Sequence, residues 1–174
     1  MFSPQCFYRF EDKCIKIAES YSSFDEAAPE ILKFVCKYFT AEWGTYWKVN
    51  SVLYTLNAFY VHVEPGHDFS RLVTNTKSRS LSMSEGNAGH VWRSKIPILS
   101  NNLVNDMCIP RSLDANKGGV NSGVWFALKS DDTVFGVIEL LAKKLPSSNT
   151  QTLHLLEALG TKLGYFFRQK IVEQ

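Results

Sequence analysis

Residues 120–145 read VNSGVWFALKSDDTVFGVIELLAKKL, and this stretch carries the clearest secondary-structure signal in the chain. Residues 120–128 and 134–145 are rich in aromatic and branched side chains, which favour β-strands. The polar pair Asp131-Asp132 lies between them, where a turn is expected. The stretch therefore predicts a β-hairpin, whose two strands are antiparallel.

A single carboxylate interrupts the second strand of this hairpin. Because side chains alternate between the two faces of a strand, Glu139 is predicted to share a face with Phe135, Val137 and Leu141. A charge on such an apolar surface is costly unless it is paired. Glu139 is therefore expected to have a charged partner.

Further strands and short helices are predicted before the hairpin. Residues 42–49 and 52–63 have the composition of strands, and Asn50-Ser51 between them predicts a tight turn. The polar residues 69–84 are expected to hold one short helix and one short strand. Short helices are predicted at residues 86–92 and 111–117, and between them a strand at residues 96–99 and a long loop through Pro110.

Longer helices are predicted at both ends of the chain. The N-terminal one has a narrow apolar seam typical of helix pairing, made by Phe7, Phe10, Cys14, Ile17 and Tyr21. A second helix follows the capping pair Ser22-Ser23, and a long one runs from Asn149 to the end. Sequential hairpins flanked by helices indicate an α+β fold with a largely antiparallel sheet.

Composition excludes several classes of function. The chain has 174 residues and a net charge of +2 without a basic block, so a single domain is expected and nucleic acid is not an expected partner. Its longest apolar stretch, residues 134–142, is too short to span a membrane. No secretory signal is visible, and the protein is predicted to be cytoplasmic. Neither the dispersed histidines nor the glycines form a metal, nucleotide or hydrolase motif.

A set of residues along the chain occurs in the order typical of one family: Trp43, Gly44, Trp47, Glu85, Gly86, Gly89, Val91, Trp92, Pro97, Leu103, Asp106, Pro110, Arg111, Ala115, Gly119, Val120, Gly136, Val137, Glu139 and Gly164. With this order from Phe24 onward, the chain resembles a GAF domain of a bacterial signalling protein, of the type found beside PAS, histidine kinase or diguanylate cyclase modules. GAF domains are small-molecule-sensing modules.

The resemblance implies a GAF-like α+β fold across residues 1–174, with an N-terminal helix over 1–22 and a core over 24–171. The sheet is expected to have about six antiparallel strands, with the terminal helices on one face and short helices covering a pocket on the other. The expected ligand-binding residues are Trp92, Asp106, Cys108, Arg111, Trp125 and Glu139. Arg111 either pairs with Glu139 or clamps an anionic ligand. The resemblance names no cofactor and no particular ligand.

One enzymatic branch of the family, the free methionine sulfoxide reductases, depends on cysteines beside the cavity. Ala88 stands where that branch has a cysteine, and Cys108 lies too far from the following strand to match its later one. The chain is therefore predicted not to be an enzyme, and Cys108→Ser is expected to be silent. Bilin attachment is disfavoured because Ile109-Pro110 follows Cys108. Cyclic nucleotide binding and a purely structural dimerisation module remain alternatives.

The C-terminal helix suggests an oligomer. Its apolar side chains cover an arc of about 180°, whereas covering its own sheet needs roughly 100°. The residues that form this arc are Leu153, Leu155, Leu156, Leu159, Leu163, Phe166, Phe167 and Ile171. The surplus predicts a homodimer through the terminal helices. Alternatively, the N-terminal helix covers the surplus within one monomer.

Overall fold

The computed structural model describes residues 4–106, 109–145 and 150–172. The chain starts with two long helices and a strand pair: α1 (Pro4–Glu19), α2 (Phe24–Phe39), β1 (Trp43–Asn50) and β2 (Thr55–Val63). Short elements follow: α3 (Ser70–Lys77), β3 (Ser80–Leu81), α4 (Gly86–Ser94), β4 (Ile98–Ser100), α5 (Leu103–Asp106) and α6 (Ile109–Lys117). The predicted hairpin and the last helix are β5 (Ser122–Ser130), β6 (Thr133–Ala142) and α7 (Thr150–Val172).

The described strands form one six-stranded sheet in the order β3-β2-β1-β6-β5-β4, and every neighbouring pair is antiparallel. One apolar core lies on the face covered by α1, α2 and α7. A second core lies on the opposite face, beneath the short helices. The α+β architecture with about six antiparallel strands is therefore confirmed.

Helix α2 begins where the sequence predicts. The side chain of Ser23 accepts a hydrogen bond from the backbone N–H of Glu26 at 3.2 Å, which satisfies one of the free donors of the first turn. Thr40 ends the helix in a left-handed conformation, with its N–H directed at the carbonyls of Cys36 and Lys37.

The turn between β1 and β2 is longer than predicted. Asn50 pairs with Thr55, so four residues form the turn instead of two. The side chain of Asn50 stabilises this turn, because its Oδ1 accepts hydrogen bonds from the backbone N–H groups of Val52 and Leu53. As a result Val52, Leu53 and Tyr54 leave the strand and are 83%, 68% and 74% exposed.

The prediction that Phe135 shares a face of the strand with Glu139 is wrong. Leu128 pairs with Gly136 and Lys129 with Val134, so a β-bulge leaves Phe135 unpaired between them. The extra residue shifts the alternation, and Phe135 packs beside the long helices while Val137 faces the second core. Strand alternation cannot reveal a bulge because the bulge depends on the pairing register.

Two smaller differences lie around the short helices. Residues 103–106 form α5, where a loop was predicted, and the strand expected at residues 96–99 is displaced to β4. Helix α4 continues to Ser94 and ends at Lys95 in a left-handed conformation with φ of 62°, and β4 begins three residues later.

The N-terminal helix covers much of the apolar surface that suggested a dimer. Phe7, Phe10, Cys14 and Ile17 are buried in the core that they share with α2 and α7, and Lys162 on α7 bonds Glu11 on α1 at 2.6 Å. On α7, Leu153, Leu155 and Phe166 remain half-buried and Ile171 is exposed. The homodimer stays a prediction, and it now depends on these four apolar side chains of α7 that α1 does not bury. None of the helices described is both long and apolar enough to cross a membrane.

Helix α7 touches the sheet through two glycines. A Cβ at Gly160 would lie 2.1 Å from the carbonyl oxygen of Ala127, and one at Gly164 would lie 2.3 Å from the backbone N and O of Lys129. Since neither backbone can yield easily, the glycines set the distance between the helix and β5.

We expect Gly164→Ala to lower the free energy of unfolding by about 1 to 3 kcal/mol because of this overlap. Helix propensity alone predicts the opposite sign, a gain of about 1 kcal/mol. Chemical denaturation monitored by circular dichroism measures the difference, with the exposed Thr161→Ala on the same helix as the control. A stabilised Gly164→Ala protein would contradict the close packing.

Candidate ligand site

The second core brings the four tryptophans of the chain into one cluster. Trp43 and Trp47 come from β1, Trp125 from β5, and Trp92 from α4, which lies over this face of the sheet. All four are buried. The four indole rings therefore lie on one side of the sheet.

Glu139 lies at the centre of this face and has no exposed surface. Its strand, β6, lies between β1 and β5, and its cross-strand neighbours are Thr45 and Trp125. The indole N–H of Trp125 donates to Oε2 at 2.7 Å, while the Thr45 hydroxyl donates to Oε1 at 3.2 Å. The indole N–H of Trp43 reaches Oε1 at 3.3 Å and the Thr45 hydroxyl oxygen at 2.8 Å.

Arg111 is the charged partner of Glu139, as one of the two sequence interpretations predicts. From α6, its Nη1 and Nη2 donate to Oε2 and Oε1 of Glu139 at 3.1 and 2.5 Å. Its Nε donates to the hydroxyl of Thr76 on α3 at 3.0 Å. The guanidinium carbon lies 5.0 Å from the centre of the Trp47 ring, within the range of a cation–π contact.

These contacts keep Glu139 ionised. Burial raises the pKa of the carboxyl, but the charge of Arg111 and the hydrogen bonds from Arg111, Trp125 and Trp43 outweigh it, so the pKa is lowered overall. Two parallel N–H···O bonds are the strongest geometry available to an arginine and a carboxylate. Removal of either partner would leave the other charge buried and unpaired.

A small cavity lies beside the ion pair. Its volume is about 20 Å³, room for about one water molecule. Its lining residues come from the strand β3 region, the start of α4 and the ion-pair cluster: Arg79, Leu81, Gly86, Asn87, Ala88, Arg111, Trp125 and Glu139. Nε of Arg79 and Nδ2 of Asn87 are buried and have no hydrogen-bond partner among the described residues. Two of the lining residues therefore each carry a donor that lacks an acceptor among the described residues.

The predicted site residues have different outcomes. Arg111, Trp125 and Glu139 come together at the cavity, whereas Trp92 packs in the same core without lining it. Cys108 lies outside the described residues, and of Asp106 only the backbone, in α5, is described. Of the remaining cysteines, Cys14 and Cys36 are buried in the opposite core and Cys6 is exposed on α1. Burial raises the pKa of the Cys14 thiol to about 12.

Several residues of the site carry no signal that predicts them from the sequence. Arg79 and Thr76 lie in the polar stretch after β2, which has no periodicity that marks an inward-facing side chain. Asn87 begins α4 and has no distinctive neighbour. Thr45 was detectable, because pairing the predicted first and last strands places it opposite Glu139.

The fold and the site together define a class: an α+β domain with a small polar cavity between its sheet and a layer of short helices. The family model described as GAF domain matches residues 22–166, and the chain belongs to the GAF family. No match was found among curated proteins. The matched range leaves out α1, so the division into a helix over residues 1–22 and a core over 24–171 stays a prediction.

Three solved structures with high similarity illustrate the range of this fold. The free methionine-R-sulfoxide reductase from Neisseria meningitidis, in complex with its substrate, is 12% identical with a TM-score of 0.76, and the match covers 100% of this chain and 96% of that one. The GAF domain from Acinetobacter phosphoenolpyruvate-protein phosphotransferase is 12% identical with a TM-score of 0.72, over 99% and 98% of the two chains. The A. aeolicus Nlh2 GAF domain in an inactive state is 18% identical with a TM-score of 0.69, over 94% and 96%.

The first of these neighbours corrects one prediction. The sequence predicts that the chain is not an enzyme, and this inference is wrong because the same fold carries a reductase. At 12% identity the likeness establishes the fold alone, so the enzyme status of the chain is open.

The buried ion pair predicts strong coupling between Arg111 and Glu139. Each single alanine variant is expected to lose about 3 to 5 kcal/mol of stability because it strands the other charge, and the double variant less than the sum. A double-mutant cycle by chemical denaturation measures this coupling. The exposed pair Lys95 and Asp132, joined at 2.8 Å, is the matched control and should couple by less than about 1 kcal/mol. A coupling energy between Arg111 and Glu139 as small as that of the control pair would contradict the interpretation of the buried ion pair.

The lowered pKa of Glu139 predicts acid sensitivity. In the unfolded chain the carboxyl titrates near the ordinary value of 4.5, so its stabilising effect is complete above that pH and is lost as the pH falls towards the lower pKa of the folded state. We expect the unfolding free energy of the wild type to fall more steeply with decreasing pH than that of Glu139→Gln. Denaturation at pH values from 7 down to about 3 tests this, and parallel curves would show that Glu139 does not contribute.

Proposed function

We propose that this chain is a small-molecule-sensing regulatory domain of a cytoplasmic bacterial signal-transduction protein, and that it senses its ligand at the Arg111–Glu139 cavity. The observation that carries the proposal is the pair of buried donors, Nε of Arg79 and Nδ2 of Asn87, that line the cavity without acceptors. Buried polar groups are nearly always paired, so two unpaired donors at one cavity favour the binding of an acceptor atom there.

The ligand in this proposal carries hydrogen-bond acceptors, and an anionic group fits best. Two of the lining residues are arginines, and one of them, Arg111, already holds a carboxylate in bidentate geometry. A ligand anion would add an acceptor for Arg79 and Asn87 and compete with Glu139 for Arg111. Such a competitor changes the energetics of the cluster that holds α3 and α6 on the sheet.

The size of the cavity implies that binding is accompanied by movement. At about 20 Å³ the cavity cannot hold an organic molecule while the short helices lie in their present position. The proposed ligand therefore binds a more open arrangement of α3, α4 and α6. It shifts the population towards the open state by as much as its affinity for the open state exceeds its affinity for the closed one. The present structure corresponds to the closed state of such an equilibrium.

The cavity proposal is tested with small anions as probes. We expect formate, acetate or inorganic phosphate at millimolar concentration to raise the melting temperature, because binding to the folded state stabilises it. Arg79→Leu should abolish the shift, while Arg93→Leu, an exposed residue of neighbouring α4, should retain it. Equal shifts in the two variants would contradict an anion site at Arg79.

The same preparation tests the enzymatic alternative. Native mass spectrometry of freshly purified protein would detect a co-purified small molecule and support sensing. Turnover of free methionine-R-sulfoxide with dithiothreitol as the reductant would instead assign the activity of the structural neighbour from Neisseria meningitidis to this chain.

The proposal also includes a homodimer through the terminal helices, with α7 as the output element. Leu155 and Phe166 are eleven residues apart, three helical turns, so they lie on the same side of α7 and both remain half-buried. A face of this kind is suited to pairing with a second copy across a two-fold axis.

Light scattering at micromolar concentration tests the dimer. The expected mass is twice 19.8 kDa, and Leu155→Glu or Phe166→Glu should lower it towards one copy. Leu159 is unsuitable because it is fully buried within one chain, and its replacement would unfold the core. The exposed Ile96→Glu, in the loop before β4, is the control. A wild-type protein of monomeric mass would contradict the dimer.

A further inference from the structure

A second and larger cavity opens at the end of the molecule where α2 begins and α7 ends. Its volume of about 410 Å³ lies within the range of small-molecule sites. The walls are mainly apolar and come from α2, β1, β6 and α7, with Phe24, Val49, Val134, Phe135, Phe167 and Ile171 at the surface. This cavity shares no lining residue with the one beside Arg111 and Glu139.

The aromatic wall of this cavity is already assembled. The rings of Phe135 and Phe167 are stacked with 4.8 Å between their centres, and Phe24 lies 5.6 Å from Phe167. The β-bulge in β6 is what directs Phe135 to this side of the sheet. A preformed apolar wall lowers the cost of ordering side chains when a ligand binds.

The acidic groups near the cavity form ion pairs, although Oδ1 of Asp25 is buried without a hydrogen-bond partner among the described residues. Asp25, in its lining, is bonded to the ammonium group of Lys48, which also lines it. In the turn that leads to Thr133, Asp131 is bonded to Arg168.

The other acid of that turn, Asp132, is bonded to Lys95 at 2.8 Å. These pairs leave little net negative charge near the cavity to repel an anion.

Lys170 is the remaining charge in the lining. Its ammonium group lies 5.3 Å from the centre of the Phe166 ring and has no carboxylate partner among the described residues. With Lys48 and Asp25 paired, the lining carries a net charge of about +1. An apolar cavity with a free cation at its edge is complementary to a molecule with an apolar body and one negative charge.

We propose that this cavity binds an amphipathic monoanion, a carboxylate carried on an aromatic ring or a short alkyl chain. The apolar body lies against Phe135 and Phe167, and the carboxylate lies at Lys170. Because Phe167, Lys170 and Ile171 belong to the last turns of α7, the bound molecule fastens the end of that helix to the sheet. The site is independent of the proposed sensing at Arg111.

Isothermal titration calorimetry with 3-phenylpropionate and its neutral amide tests the proposal. These two probes differ only in the charge of the head group. We expect the carboxylate to bind about fivefold or more tightly than the amide, Lys170→Gln to abolish this preference, and Lys170→Arg to retain it. Lys37→Gln, an exposed lysine at the other end of α2, should bind as the wild type does.

Charge variants at Ile171 provide a second measurement with little risk to folding, because the side chain is 56% exposed. Both variants lose the same apolar wall contact, so the quantity compared is the ratio of acid to amide affinity. That ratio should be about two- to fivefold larger in Ile171→Lys and about two- to fivefold smaller in Ile171→Glu than in the wild type. Equal affinity for acid and amide, or no heat with either at millimolar concentration, would overturn the proposal.

Discussion

The buried carboxylate of Glu139 is the constraint on which one whole face of this protein depends. It lies on the central strand pair of the sheet without any exposure, and such a charge costs several kcal/mol unless it is fully paired. Donors from both neighbouring strands meet it, and among the residues that the structure describes Arg111 alone supplies the compensating charge. The ion pair therefore ties α6 to the sheet, and through Thr76 it also ties α3.

An ion pair in this place has a consequence that apolar packing lacks. Hydrophobic residues of similar volume often hold a core as well as a buried salt bridge does, so stability alone does not require the charges. A salt bridge can, however, be opened by a competing ion that offers Arg111 another acceptor. The unpaired donors of Arg79 and Asn87 lie where such an ion would gain additional bonds. The charged cluster is thus suited to an element with two states of similar energy.

Much of the fold and part of the site could be predicted from the sequence. Hairpin composition, the Ser23 cap and the apolar periodicity are local signals, and they agree with the final architecture. Glu139 was detectable because a charge stands out in an apolar strand, and the family order pointed to Arg111. The bulge at Phe135 and the long turn after Asn50 were missed because both depend on pairing between strands. Arg79 and Asn87 were missed because a buried donor without a hydrogen-bond partner can be identified only from the three-dimensional structure around it.

The two faces of the sheet are connected through the backbone of β5. On one side this strand carries Trp125, which donates to Glu139, and on the other side the backbone of Ala127 and Lys129 abuts Gly160 and Gly164 of α7. At these two contacts no helix side chain lies between the strand and the helix. A displacement of β5 therefore cannot be absorbed by a change of rotamer, as it would be in an ordinary side-chain interface, and it is passed to the helix axis. In the proposed sensing domain, these two glycine contacts are the direct mechanical connection between the strand that carries Trp125 and the helix proposed as the output element.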